Sequence, residues 1–373
     1  MSVNVDRIPI LDLKPEIDAN WEEINAAIQR VLKSAGFILG PEVEGLEKEC
    51  AEYLGVKHAI GCNSGTDALF IGLRAMGVNP GDEVITTPFS FFATAESISL
   101  IGAKPVFVDV DLESMNIDVD LIEAAITDKT KAIMPVHIFG RPANMNRVME
   151  IAKKHNLQVI EDCAQSFGSR YHDAPGNPMT GTIGAVGTIS FFPTKNLGAY
   201  GDAGMIITND DDINVLSRKL RVHGSAKRYH NEMIGYNSRL DAMQAAILRV
   251  KLPLLPGYNE TRRAIAARYN DLMAGMDEVV TPEVVPGHVF HQYTIRVKGG
   301  KRDEVHTKMA DKGVSSMIYY PIPQDRLEVY AGQYPRNPNS DQLATEVLSL
   351  PIWPQIAPEQ QARVVEVLKE SLV

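Results

Sequence analysis

The chain has 373 residues, of which 45% are hydrophobic and 23% charged; this ordinary globular composition excludes a disordered or fibrous protein, and the length suits two or three domains. A formal net charge of −10 and a pI near 5.4 exclude the broad basic face that nucleic acid or an anionic membrane requires, leaving a small anionic substrate to a local basic cluster. The three widely spaced cysteines, Cys50, Cys62 and Cys163, suggest neither a disulfide framework nor a zinc site, and no metal is expected.

The opening stretch MSVNVDRIPILDLKP has no basic segment followed by a long apolar core, and no run of about 18 apolar residues occurs, so a cytoplasmic protein is expected. From residue 59 to 209, short apolar or β-branched runs alternate with helical stretches, the rhythm of an α/β sheet covered on both faces. Seven strands are predicted, at HAIGC, EVITT, PVFVD, AIMPV, LQVIED, GTISF and GMIIT. Most are continuous apolar runs, as strands buried on both faces are. Helices are predicted over 66–76, 93–100 and 144–155. After Asp241 a long helical pattern runs on, with Pro253 and Pro256 expected to kink or break it. The domain boundary is placed there. Residues 1–250 form a large domain that includes the N-terminal segment. Residues 251–373 form a smaller α+β unit holding QYTIRVKG, a helix near 303–312, SSMIYYPIP and a last helix over 358–372.

In open α/β sheets ligands sit at the carboxyl ends of strands, so the polar residues following each run are the candidates. After HAIGC comes NSGTDALF, where a glycine turn opens a helix whose N–H groups at Gly65 and Thr66 can hold an anion. An ordinary turn capped by Ser64 or Thr66 gives the same pattern. EVITT leads into PFSFFATAES, with Phe89, Phe91 and Phe92; one ring can stack on a flat ligand, or all can fill the core. LQVIED ends in Glu161 and Asp162. A carboxylate at the edge of a core wants a cation, because stranding one member of a buried pair costs about 3–5 kcal/mol; a helix cap or structural ion pair also satisfies it. Lys195 follows the sixth strand in SFFPTKNLGAYGDAG, behind Ser190 and the stiff Pro193 and ahead of a glycine-rich loop. Most lysines are solvated surface charges. Here a phosphate cup, an aromatic, an acid and a lysine together compose a pyridoxal-phosphate site. That cofactor needs an amine for a Schiff base, a carboxylate to keep its ring nitrogen protonated, and donors for its phosphate.

With these residues in view the sequence resembles the sugar aminotransferases of the DegT/DnrJ/EryC1/StrS group. The matching stretches are GCNSGTDAL, PFSFFATAESI, PVFVDVD, MPVHIFGRPANM, VIEDCAQSFG, SFFPTKNLGAYGDAGMI, LRVHGS, IGYNSRLDAMQAAIL and LSLP, in family order over nearly the whole chain. The resemblance implies an aspartate-aminotransferase-like fold of type I, with a mostly parallel seven-stranded sheet and a smaller C-terminal α+β domain. It implies that Lys195 carries pyridoxal 5′-phosphate and then shuttles a proton, and that Asp162 pairs with the ring nitrogen. Gln165 would meet the ring hydroxyl, Phe91 would stack on the ring, and Gly65, Thr66 and Ser190 would hold the phosphate. Asn237, in GYNSRLD, would reach the phosphate of a neighbouring subunit, making a homodimer with shared sites the working unit. Two departures stand out: Ala203 replaces a common glycine after the lysine, and YYPIPQD lacks the histidine usual in the family's loop there.

Relatives with histidine at the lysine position are dehydratases, so Lys195 favours transamination. The expected reaction moves an amino group from an amino acid, glutamate, to a nucleotide-linked ketosugar. A basic cluster, Arg218, Lys219, Arg221, His223, Lys227 and Arg228, lies in an otherwise acidic chain. Helix solvation accounts for much of it, but the family loop makes Arg228 the expected contact with the sugar or its diphosphate, with His223 and Tyr320 as further substrate contacts. The form of RYHNEMIGYNSRLD resembles relatives that aminate carbon 3 of a UDP-linked sugar. Amination at carbon 4 of a dTDP-, UDP- or GDP-linked 4-keto-6-deoxy sugar is the alternative. A non-catalytic regulatory protein of the same fold, and a lyase acting on amino acids alone, are the other classes.

Overall fold

A seven-stranded sheet forms the centre of the computed structural model, which describes residues 7–227 and 229–373. Three helices precede it: α1 (Lys14–Ala19), α2 (Trp21–Ser34) and α3 (Pro41–Leu54). Its strands are β1 (His58–Cys62), β2 (Glu83–Thr86), β3 (Lys104–Phe107), β4 (Thr130–Ile133), β5 (Gln158–Asp162), β6 (Val186–Ser190) and β7 (Gly204–Thr208). They stand in the order β1-β7-β6-β5-β4-β2-β3, and only β7 runs antiparallel to its neighbours. The apolar runs end where proline removes a backbone donor, as at Pro88 after β2 and Pro135 after β4.

Helices α4 (Gly65–Ala75), α5 (Ala93–Leu100), α6 (Met145–His155) and α7 (Asp211–Leu220) cover the sheet. Ile71, Leu73, Ile160 and Ile206 share one buried cluster with α4; Ile85, Ile133, Val148 and Ile151 share another with α6. A short hairpin of β8 (Ser225–Lys227) and β9 (His230–Asn231) projects from the end of α7. The helical pattern after Asp241 is α8 (Ala242–Lys251) and α9 (Leu255–Leu272), broken at Leu252–Leu254 by a single 3₁₀ turn around Pro253.

Beyond α9, the strands β10 (Val279–Val280), β11 (Tyr293–Val297) and β12 (Val347–Leu350) make a small antiparallel sheet in the order β10-β11-β12. It packs with α10 (Arg302–Asp311), α11 (Pro338–Glu346) and α12 (Pro358–Leu372). Tyr269, Tyr293, Ile295, Leu348 and Val364 lie in its core, where Ile8 from the N-terminal segment also packs and bridges to Val314. SSMIYYPIP adds one bridge, Met317 to Ser349, because Pro321 and Pro323 offer no N–H for a longer ladder.

Candidate active site

The parallel strands deliver their carboxyl ends to one edge, and the polar residues there converge on a cavity of about 580 Å³. Its floor is Asp162, the last residue of β5, which is buried. Thr94 Oγ1, on α5, donates to Asp162 Oδ2 at 2.9 Å, and the Ala164 N–H donates to Oδ1 at 3.1 Å. With its own proton committed, Thr94 must accept from Ser90 Oγ, 2.9 Å away. Burial holds the Asp162 carboxyl above its ordinary pKa, opposed by these donors and by the positive charge of Lys195.

Lys195 reaches the same cavity from the turn after β6. The turn closes with the Lys195 N–H donating to Phe192 O at 2.9 Å and the Ala199 N–H donating to Phe191 O at 2.8 Å. Gly198 is needed there, since any Cβ would collide with the Pro193 carbonyl. From behind, the buried Lys251 Nζ donates to Gly198 O and pairs with Glu16 of α1 at 2.6 Å, fixing the loop to the N-terminal helix. Burial brings the Lys195 amine down to about 8, with the Asp162 charge opposing.

The cup lies at the start of α4. Ser64 caps that helix, its Oγ accepting from the Asp67 N–H at 3.1 Å, and its carbonyl accepts from Ala68. This leaves the Gly65 and Thr66 N–H groups, at the positive end of the helix, without an intrahelical partner. Register brings Ser190 and Cys62 opposite Gly204 on either side, so β6, β7 and the cup are pressed together. A Cβ on Gly65 would stand 2.7 Å from Ser190 Cβ. Only backbone fits at this position, which leaves the approach to the N–H groups open.

Aromatic and amide groups line the remaining wall. Gln165 Oε1 accepts from the Phe139 N–H at 2.5 Å, and its Nε2 donates to Tyr320 Oη at 2.9 Å, leaving a second amide hydrogen. Phe89 is buried, whereas Phe91 is 58% exposed and faces the cavity with its ring 6.2 Å from that of Tyr320.

Thus eight of the residues singled out from the sequence line one cavity: Gly65, Thr66, Phe91, Asp162, Gln165, Ser190, Lys195 and Tyr320. Asn237 and His223 do not join them. Asn237 is exposed in a shallow adjoining recess that shares Ser64 and Asp202 with the cavity, and His223 is exposed at the base of the β8–β9 hairpin. Arg228 lies outside the described residues. The basic cluster is partly structural, because Arg218 and Arg221 both bind the buried Glu47, at 2.8 and 2.6 Å. Sequence reasoning missed Thr94, His291 and Gln292, which also line the cavity. Thr94 could have been found as the residue one helical turn beyond Ser90; His291, just before β11, gives no local signal.

The family model of the DegT/DnrJ/EryC1/StrS aminotransferases matches residues 18–369. This chain belongs to that family. It is 50% identical to a protein of Geobacillus stearothermophilus named pleiotropic regulatory protein, over 97% of this chain and 98% of that one. It is 46% identical to the UDP-N-acetyl-3-dehydro-α-D-glucosamine 3-aminotransferase of Acidithiobacillus ferrooxidans, over 98% of both. The solved structure of S. venezuelae DesV in complex with a ketimine intermediate superposes with a TM-score of 0.94 at 40% identity, covering 98% of each chain. The fold is the aspartate-aminotransferase-like fold of type I, and the protein is a pyridoxal-phosphate-dependent sugar aminotransferase.

The residues present suit that cofactor on their own chemistry. The cavity offers one amine of lowered basicity, one buried carboxylate, and a helix N-terminus whose first N–H groups are uncommitted. Among the described residues His137, Glu161 and Cys163 group closely enough to suggest a metal, but the histidine's two nitrogens are committed. Nδ1 accepts from the Ala143 N–H at 3.0 Å, so Nε2–H donates to Glu161 at 3.0 Å.

Proposed function

We propose that the enzyme transfers an amino group from L-glutamate to a nucleotide-linked ketosugar, with a UDP-linked 3-keto sugar as acceptor. The observation that carries the reading is the placement of Lys195 and Asp162 in one cavity beneath the open end of α4. Pyridoxal phosphate bound there supplies an electron sink, allowing a proton to leave and return at carbon. Lys195 holds the cofactor and, once released, moves the proton between carbon centres; an amine near pKa 8 exchanges a proton readily at neutral pH. Asp162, held by Thr94 and Ala164, stays ionised against a protonated ring nitrogen, which offsets its burial. Gly65, Thr66 and Ser190 bind the phosphate, Gln165 donates its spare amide hydrogen to the ring hydroxyl, and Phe91 covers the ring face. Tyr320, His223 and Arg228 contact the sugar nucleotide. Asn237 completes the phosphate site of a second copy, in a cytoplasmic homodimer whose chains divide near residue 250 into two domains.

Support for carbon 3 is the likeness to the A. ferrooxidans 3-aminotransferase. Amination at carbon 4 is the competing chemistry, and the name of the G. stearothermophilus relative motivates a regulatory role as a second reading. The deciding experiment loads the full chain with pyridoxal phosphate and follows its violet absorption band. Glutamate should bleach the band at catalytic rates, and UDP-linked 3-amino sugars should do so better than 4-amino sugars. Lys195→Ala should lose the band and at least about 10⁴ of the rate. A band that persists in Lys195→Ala, or response to simple amino acids with none to any UDP-, dTDP- or GDP-linked amino sugar, overturns the reading. No turnover alongside normal cofactor loading would favour the regulatory role.

A further inference from the structure

The loop before β11 brings a buried histidine to the cavity that Lys195 also lines, where the charge of Lys195 acts on its ring. His291 sits on a fixed backbone: its N–H donates to Phe139 O at 2.9 Å, and its carbonyl accepts from the buried Arg262 at 3.3 Å. Among the described residues its ring has one hydrogen-bond partner, Asn196 Oδ1, 3.3 Å from Nδ1.

The orientation of that amide decides the protonation of the ring. Asn196 Nδ2 lies 3.0 Å from the backbone carbonyl of Val289, which can only accept, so this atom is the nitrogen and Oδ1 is the atom facing His291. Nδ2 also donates to Asn259 Oδ1 at 2.7 Å, and Asn259 is fixed in turn because its Nδ2 donates to Phe167 O at 3.1 Å. A chain of donors therefore runs from a backbone carbonyl through two amides to the imidazole, and it ends by requiring Nδ1 to carry hydrogen. The lone pair of the neutral ring is then on Nε2. The ring is also kept neutral: burial, Lys195 and Arg262 hold its pKa well below the ordinary value.

Lys195 needs an acceptor. Burial lowers the basicity of its amine, and the Asp162 charge opposes this. Accepting the proton from carbon gives Lys195 an ammonium in a half-buried site, where an uncharged acceptor orients it without making the carboxylate of Asp162 leave the cofactor.

We propose that His291 is a positioning residue for the amine: as the Nδ1–H tautomer set by Asn196, it offers Nε2 as hydrogen-bond acceptor to Lys195 during proton transfer. The proposal rests on the reading that Lys195 is the reacting amine. The groups facing the pair are Arg262 behind His291 and Asp162 opposite Lys195.

Two substitutions separate the ring's two nitrogens. His291→Asn retains a donor to Asn196 but removes the acceptor, whereas His291→Gln places an amide oxygen near the site of Nε2. The full chain is loaded with pyridoxamine 5′-phosphate, the form in which Lys195 is a free amine, and its acylation by acetic anhydride is followed against pH by peptide mass spectrometry. An acceptor favours the ammonium, so its loss lowers the titration midpoint of Lys195. The expected fall in His291→Asn is about one pH unit, a roughly tenfold change in proton binding, with His291→Gln restoring most of it. Thermal melting and cofactor retention establish that both variants fold. Unchanged midpoints in both variants, or equal losses in both, overturn the proposal. Failure of the parent reading looks different, because Lys195 would then be acylated equally in the pyridoxal- and pyridoxamine-loaded wild type.

Discussion

The cavity floor and the hairpin around residues 223–237 are built on opposite terms. On the floor the groups around the Lys195 amine are held by fixed partners: Asp162 by Thr94 and Ala164, Gln165 by Phe139 and Tyr320, the Lys195 turn by its own backbone bonds and by Lys251. The described side chains at the hairpin's strands are mostly exposed, although Met233 and Tyr236, which follow them, pack against the buried cluster around α4. Tyr229 is 83% exposed, His223 and Tyr229 have φ of 56° and 67°, and the short strands are braced by the Asn231 bond to the His223 carbonyl and the Lys219–Glu232 pair. One chain thus encloses the groups proposed to carry out the chemistry, while His223 and Tyr229, in the segment proposed to recognise the substrate, stay exposed. Preorganisation is paid for by burial in the first region and has no such support in the second.

The strongest way to break the comparison is to remove a floor residue. Asp162→Ala should leave a buried cationic ring without its counter-charge, costing about 3 kcal/mol or more and lowering kcat/KM more than a hundredfold. Its fold should be less affected than its activity, because Thr94 and Ala164 can turn to water entering the cavity. Steady-state kinetics with glutamate, beside a melting curve, measure both. A hundredfold loss confined to stability would assign Asp162 a structural role.

The adjacent acid should behave in the opposite way. Glu161 points to the other side of the pleat, where its carboxylate accepts from His137 and from the N–H groups of Gly181, Ile183 and Gly184 at 2.7–3.0 Å. Glu161→Ala strands several buried donors at about 1–3 kcal/mol each, so unfolding free energy should fall by at least about 3 kcal/mol. Cofactor affinity in the surviving folded fraction should change little. Chemical denaturation and cofactor titration distinguish the two neighbours.

This contrast also marks what the sequence could and could not convey. Strand positions were legible because a strand buried on both faces is a continuous apolar run, and the cup was legible because a glycine turn before a helix has few uses. Glu161 and Asp162 were indistinguishable as a dipeptide. Their separate fates depend on which face of β5 meets α5 and which meets the 181–184 loop, a matter of tertiary arrangement. His291 was invisible for the same reason, its partner Asn196 being brought to it by the packing of α9 against the Lys195 loop. Arg218 and Arg221 looked like free charges because Glu47 lies more than 170 residues earlier.

The smallest effect on a single chain is expected at the hairpin's end, and it sharpens the comparison most. Asn237 is exposed, and its backbone rather than its side chain ties it to Val222, so Asn237→Ala should alter the stability of the fold by no more than about 0.5 kcal/mol. If its side chain serves a neighbouring copy, the loss appears instead as weaker cofactor retention. Mixing supplies the test. A dimer of one Lys195→Ala chain and one Asn237→Ala chain has one site carrying both defects and one carrying neither, if Asn237 acts across the interface. Activity should then return to about half the wild-type value per mixed dimer, although each parent is impaired. If Asn237 acts within its own chain, every site in the mixture carries one defect and nothing returns. The hairpin would then belong to the same self-contained unit as the floor, and the distinction between the two regions would be one of exposure alone.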